Sequence, residues 1–290
     1  MPRTVDEGFR DFLQKLTPTG VETVAAKNHR SSIEACLKSN FGLLRFFRTG
    51  SFGNGTSISG FSDVDYFASL PNDQLTQSSD YTLKKVRNTL DARFPNTGIY
   101  VDAPAVVAPF GTLRSETTEV VPADFIKEEN GLKIYEIPNG SGEWIRSSPD
   151  SHNEYVRYID QKLANKVKPL IRYIKAWKYF RQVPVSSFYL ELQTARYAYG
   201  ESSIVYSIDI YRILKMLWGN NFASILDPVG ISGYIPACKT VAQKEDTMSK
   251  ALTAYIRSEK ARDAERKENT KDAFYWWDLV FDGSFPSYYY

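Results

Sequence analysis

At 290 residues, 42% of them hydrophobic, the chain is long enough for one large domain or two lobes around a sizeable core. A net charge of +2 argues against a dedicated double-stranded nucleic-acid binder, and two cysteines and two histidines are too few for a disulfide framework or a four-ligand zinc site. No run of about 18 apolar residues occurs and the first residues lack an apolar stretch of signal-peptide length, so the expectation is a cytoplasmic protein without a membrane segment.

In chain order, residues 5–16 read as a short helix with Phe9, Phe12, Leu13 and Leu16 on one face. A longer helix is expected over 21–39, with Val24, Ala25, Ile33, Cys36 and Leu37 inward, and a short strand over 43–48. Residues 50–56, Gly-Ser-Phe-Gly-Asn-Gly-Thr, read as a Gly/Ser-rich turn before a polar loop and a strand over 64–70. Residues 81–94 are helical in period, and strand-like runs follow at 99–101, 105–110, 117–121 and 133–137. Beyond Pro149 the pattern becomes helical and locally basic, with helices expected over 151–181 (interrupted near Pro169), 187–199, 206–217 and 241–267. The closing Ser-Phe-Pro-Ser-Tyr-Tyr-Tyr is expected to be exposed. The fold class is therefore α+β. The expected division is a mixed-sheet lobe over 1–149, including the N-terminal helices, and a helical lobe over 150–290.

Residues 50–65 carry the chemistry. Backbone N–H groups around Gly50 and the Ser51 hydroxyl suit phosphate, although the loop lacks the glycine spacing and lysine of a Walker loop. Asp63 and Asp65 flank Val64, so a strand turns both carboxylates to one face, where a divalent cation would relieve their repulsion. A third carboxylate is expected from a neighbouring strand. Glu119 lies on the run that stops at Pro122, and Asp124, just past the proline, competes with it. On the helix near 170, Lys168, Arg172 and Lys175 form a basic stripe opposite Leu170, Ile171, Ile174 and Trp177. Ser187 and Phe188 follow on the next segment.

These segments, in this order, resemble the DNA polymerase β-like nucleotidyltransferases, and among them the bacterial cGAS/DncV-like enzymes and the oligoadenylate synthases. The resemblance rests on Gly-Ser-Phe-Gly-Asn-Gly-Thr followed by Ser-Asp-Val-Asp-Tyr-Phe, on Glu119-Val-Val-Pro-Ala, on Leu170-Ile-Arg-Tyr-Ile-Lys-Ala-Trp, on Ser186-Ser-Phe-Tyr and on Leu226-Asp-Pro. It spans about residues 20–260 and implies a two-lobed enzyme whose helical lobe closes the nucleotide cleft. It further implies that Asp63, Asp65 and Glu119 hold two Mg²⁺ ions, with Mn²⁺ able to substitute. Gly50, Ser51, Lys175 and Ser187 would hold a donor triphosphate, and Phe188 would stack on a base. Two NTPs would be joined and then closed into a cyclic messenger that activates an effector in bacterial antiphage defence. The effector is reached through the product, not by contact, and no nucleic-acid activator is expected. Linear products, or transfer to an RNA or small-molecule acceptor, are the alternative, and an inactive nucleotide sensor is the reading from another class.

Overall fold

The computed structural model describes residues 4–18, 20–61, 63–111 and 116–289, with the backbone alone for 20–23, 25, 26 and 116. The chain divides into two compact units. A sheet unit comprises Pro18–Tyr155 with Val229–Ser232, and a helical unit comprises Met1–Thr17, Val156–Pro228 and Gly233–Tyr290. One boundary was expected, at 149/150; the division here falls after Thr17 and after Tyr155, with the first helix in the helical unit.

In the sheet unit the strands are β1 (Arg45–Arg48), β2 (Val64–Leu70), β3 (Tyr100–Asp102), β4 (Ala105–Phe110), β5 (Glu116–Glu129), β6 (Leu132–Pro138) and β7 (Trp144–Ser147). The sheet runs β1-β2-β5-β4-β3, and β6 joins it along the second half of β5, with β7 outside β6. Only β2 and β5 pair in parallel; the other pairs are antiparallel. Three helices belong to this unit by the division above: α2 (Gly20–Phe41), α3 (Gly50–Asn54) and α4 (Ser79–Arg93).

Alternation along the central strands makes two packed faces. Tyr66, Ala68, Leu70 and Val120 meet Ile33, Leu37 and Phe41 of α2 and Leu83, Val86 and Leu90 of α4. Phe67, Val121, Ala123, Ala105 and Tyr135 cluster on the reverse face. Val24, expected inward on α2, is exposed. Arg45 ties β1 to β6 and to residues just beyond β7: its Nη1 donates to Tyr135 Oη at 2.6 Å and to Asp150 Oδ2 at 2.7 Å.

The expected strand end at Pro122 is not one. β5 runs through the proline to Glu129. Pro122 falls between the last β4 pair, Val106 with Val120, and the first β6 pair, Glu136 with Asp124. On that edge of β5 no strand is waiting for a donor, so a residue without N–H is tolerated there.

The helical unit contains α1 (Val5–Leu16), α6 (Val167–Phe180), α7 (Ser187–Tyr199), α8 (Tyr206–Gly219), α9 (Val241–Arg266) and α10 (Thr270–Val280), and α5 (Pro149–Lys162) enters it from the sheet unit. A two-stranded pair, β8 (Ile225–Leu226) with β9 (Tyr234–Ile235), completes it. Asp160 closes the break between α5 and α6 by accepting the Val167 and Lys168 N–H groups, both at 2.9 Å. Pro169 therefore sits in the first turn of α6, where its missing N–H costs nothing. α9 buries Thr247, Ala251, Ala254, Ser258, Ala261 and Ala264, a stripe of small residues, and leaves its charged side outward. Among the described residues no helix is long and apolar enough to cross a membrane.

α1 begins with a reciprocal cap: Glu7 N–H donates to Thr4 Oγ1 at 3.2 Å, and Thr4 N–H donates to Glu7 Oε2 at 3.0 Å. Its Phe9 ring centroid lies 5.1 Å from those of Tyr173 and Trp277 and 5.0 Å from that of Phe285. Tyr173 Oη donates to Phe9 O at 2.6 Å. This aromatic cluster is why α1 belongs to the helical unit. It also corrects the expectation of an exposed tail, because Phe285 is buried at its centre while Tyr289 remains exposed.

Candidate active site

The parallel register of β2 and β5 sets Asp65 beside Glu119, Phe67 beside Val121 and Leu70 beside Asp124. Asp65 and Glu119 lie on the face that continues into Phe67, Val121 and Ala123. Asp63 immediately precedes β2. Asp124 is five residues further along β5, roughly 16 Å at the usual strand rise and on the opposite face. Its carboxylate accepts from Asn72 Nδ2 at 2.9 Å. The register, not the end of a strand, separates the two candidates for third carboxylate.

Glu119 is costly to ionise. Burial first, then the charges of Asp65 and Asp63, then a hydrogen bond with Asp65, push its carboxyl up to about 8, and Asp102 at the end of β3 adds a smaller push. The Asp65–Glu119 pair therefore holds one proton at neutral pH, shared as a hydrogen bond. Among the described residues no three His, Cys, Asp or Glu side chains stand at metal-ligand spacing. By their chemistry the donors nevertheless fit a hard divalent cation: all are carboxylate oxygens, and their mutual repulsion adds to burial in keeping the proton on Glu119.

Residues 50–56, expected as a turn, begin with the short helix α3, capped by Gly55 in the left-handed conformation. Gly50 opens α3 at φ +55°, and a Cβ there would overlap the Asp65 carboxylate. Gly53 is equally confined, since a Cβ would come within 2.9 Å of Arg48 O. Thr49 N–H donates to Asp65 O at 2.8 Å, so β2 and the start of α3 are fixed to each other. Ser51 follows, half-buried, in the first turn. Asn54, Thr56 and Ser57 are buried polar residues that sequence reasoning did not single out.

In the helical unit, Lys175 is not on a solvated stripe. It is 1% exposed, and its Nζ lies 3.4 Å from Oε2 of the buried Glu191 on α7. Arg172, on the same helix, is half-buried and held below the usual guanidinium range by desolvation. Ser187 and Phe188 open α7 behind the cap Ser186, whose side chain accepts from Tyr189 N–H. Phe188 is 40% exposed, whereas Tyr189 is buried and donates to Ala223 O at 2.8 Å. Of the two rings, Phe188 is the exposed one. Glu191 carried no sequence signal, because it lies 16 residues from Lys175. Lys178 was visible only as one cation in a basic run; here its Nζ donates to Ser187 Oγ at 2.5 Å.

Comparison with known proteins gives the family. A probable cyclic nucleotide synthase of Bacillus cereus strain VD146 is 28% identical over 236 residues, covering 78% of this chain and 69% of the relative. The fold is similar to CdnC of Escherichia coli MS115-1 solved with ATP, with a TM-score of 0.74 at 18% identity over 97% of this chain and 98% of that one. It is also similar to the cyclic AMP-GMP synthase DncV of Vibrio cholerae bound to a linear intermediate, with a TM-score of 0.66 at 15% identity over 98% of this chain and 86% of that one. Residues 3–159, more than half of the chain, match the Second Messenger Oligonucleotide or Dinucleotide Synthetase domain. The chain belongs to that family, the bacterial cGAS/DncV-like nucleotidyltransferases that make cyclic oligonucleotides.

Proposed function

We propose that this protein joins NTPs into a cyclic oligonucleotide in a divalent-cation-dependent reaction at Asp63, Asp65 and Glu119. The observation that carries the reading is the pairing of Asp65 with Glu119 across β2 and β5, with Gly50 pressed against the Asp65 carboxylate. These three carboxylates would hold Mg²⁺ or Mn²⁺, in the two-ion arrangement known for nucleotidyl transfer. When bound, the cations lower the pKa of an attacking ribose hydroxyl and stabilise charge on the leaving pyrophosphate. Asp65 and Glu119 give up their shared proton when they become ligands. Gly50 leaves room for the Asp65 carboxylate itself, and the neighbouring Ser51 would offer a phosphate its hydroxyl. In the helical unit, Lys175 and Ser187 are assigned to the donor triphosphate and the exposed Phe188 ring to a base.

A linear dinucleotide precedes ring closure on this reading, as in the DncV complex with its linear intermediate. The product would act on a downstream effector in antiphage signalling, in the cytoplasm. A protein partner is also consistent with the family, since CdnC of E. coli has been solved with HORMA-deltaN.

Radiolabelled NTPs, singly and in pairs with Mg²⁺, test this. A phosphatase-resistant product is expected from the wild type and none from Asp63→Asn with Asp65→Asn, which should melt normally. Phosphatase-sensitive products alone would show that the ring is not closed. Full turnover by the double variant would place the chemistry elsewhere.

A further inference from the structure

Strand register lines up four residues across the sheet: Asp65 beside Glu119, Glu119 beside Val107, and Val107 beside Tyr100. Directly paired residues share a face, so Tyr100 stands on the face of the two carboxylates, two strand spacings or roughly 10 Å from Glu119. Asp65 and Glu119 are half-buried and Val107 is buried, whereas Tyr100, on the edge strand β3, is 42% exposed. Among the described residues the Tyr100 side chain has no hydrogen-bond, cation or ring partner. Asp102, two residues on and also exposed, faces the same way, paired with Ala105 as Tyr100 is with Val107.

The other side of the carboxylates belongs to α3. Thr49 follows directly on β1 and gives its N–H to Asp65 O, and α3 starts there. Ser51 thus lies toward β1, while β5, β4 and β3 extend the other way from β2. In phosphoryl transfer the attacking and leaving oxygens stand roughly in line across phosphorus. With the leaving pyrophosphate held near Ser51, the attacking ribose hydroxyl comes from the opposite side, over β5, and its nucleotide extends toward β4 and β3.

We propose that Tyr100 contacts the acceptor nucleotide, its ring packing against the base of the NTP that supplies the attacking hydroxyl. This rests on the assignment of Asp65 and Glu119 to the chemistry and of Ser51 and Ser187 to the donor triphosphate. Stacking on an aromatic ring tolerates any base, because every base has a π-face. The Asp102 carboxylate on the same face repels phosphate, so the base of the acceptor, and not its triphosphate, lies along β3.

The test is calorimetric titration of non-hydrolysable ATP, GTP, CTP and UTP analogues, singly and in pairs with Mg²⁺, into the full chain as wild type, Y100A, Y100F and S187A. The wild type should take two nucleotides. Y100A should weaken one of them about tenfold and leave the other unchanged, and S187A should weaken the other. Y100F, which keeps the ring, should recover most of the loss, and the Tyr100 variants should melt with the wild type. Unaltered affinities in Y100A overturn the proposal, as does an equal loss at both sites, which would mark a structural role. So does a Y100F as weak as Y100A, or a loss in Y100A at the same site that S187A weakens. A wild type that binds fewer than two nucleotides, or an S187A that binds both normally, instead overturns the donor-site reading on which the proposal rests.

Discussion

The sheet unit and the helical unit each bury charge, and they do so in opposite ways. At β2 and β5 like charges are set side by side, and a proton held on Glu119 up to about pH 8 relieves them. Between α6 and α7 opposite charges are paired, Lys175 with Glu191. A cluster with excess charge is stabilised by whatever cation replaces its proton. The contrast separates a cluster that gains from a bound cation from a lysine that already has a carboxylate beside it.

The largest effect expected on turnover is at Gly50. Alanine there meets the Asp65 carboxylate and must also adopt φ +55°. Displacing Asp65 by about 1 Å is enough to cost roughly a hundredfold in turnover. Steady-state rates of Gly50→Ala check this, and near-wild-type turnover would mean that Asp65 need not stay where it is.

The next effect tests the paired site. Glu191→Leu removes the carboxylate beside the buried Lys175 ammonium and should cost about 3–5 kcal/mol in chemical denaturation. Adding Lys175→Met should recover most of that loss. If the double variant is as unstable as the single one, the pair is not what Glu191 is for.

The smallest effect is a pH dependence in the acidic cluster. The Glu119 carboxyl is raised from 4.5 to about 8, so the folded state binds a proton that the unfolded chain has already released. The stabilisation is complete below about pH 4.5 and is lost as pH rises through 8, by an amount of order a few kcal/mol. In EDTA the melting temperature should therefore fall between pH 5 and pH 8. Mg²⁺ should raise it most at the alkaline end, and Glu119→Gln should flatten the EDTA profile. A Mg²⁺ effect that is uniform across pH would separate the cation from this proton.

How much of this could be read in the sequence depended on how local each feature is. The mixed α+β architecture, the helices of the second half and the Asp-Val-Asp strand all follow from periodicity within a few residues. Glu119 was favoured over Asp124 because Pro122 looked like a strand end. The strand in fact continues, and it is the pairing register, a non-local quantity, that keeps Asp124 away. The burial of Lys175 was illegible for the same reason, since its partner comes from the next helix. Five residues of α3, three of them Gly50, Ser51 and Gly53, carry no helical period at all. The amphipathic face of α1 showed that the helix is buried but could not show against what.

That last placement has a consequence for how the chain acquires its structure. Residues 18–155 form an insertion between α1 and the rest of the helical unit. During synthesis α1 emerges before the sheet unit, yet the rings that enclose Phe9, namely Tyr173, Trp277 and Phe285, are made more than 150 residues later. The sheet unit has all but four of its residues early and can condense while α1 waits. Until α10 is released, Phe9 and Phe12 stay unsheltered, so the late step of maturation is the homecoming of the first helix.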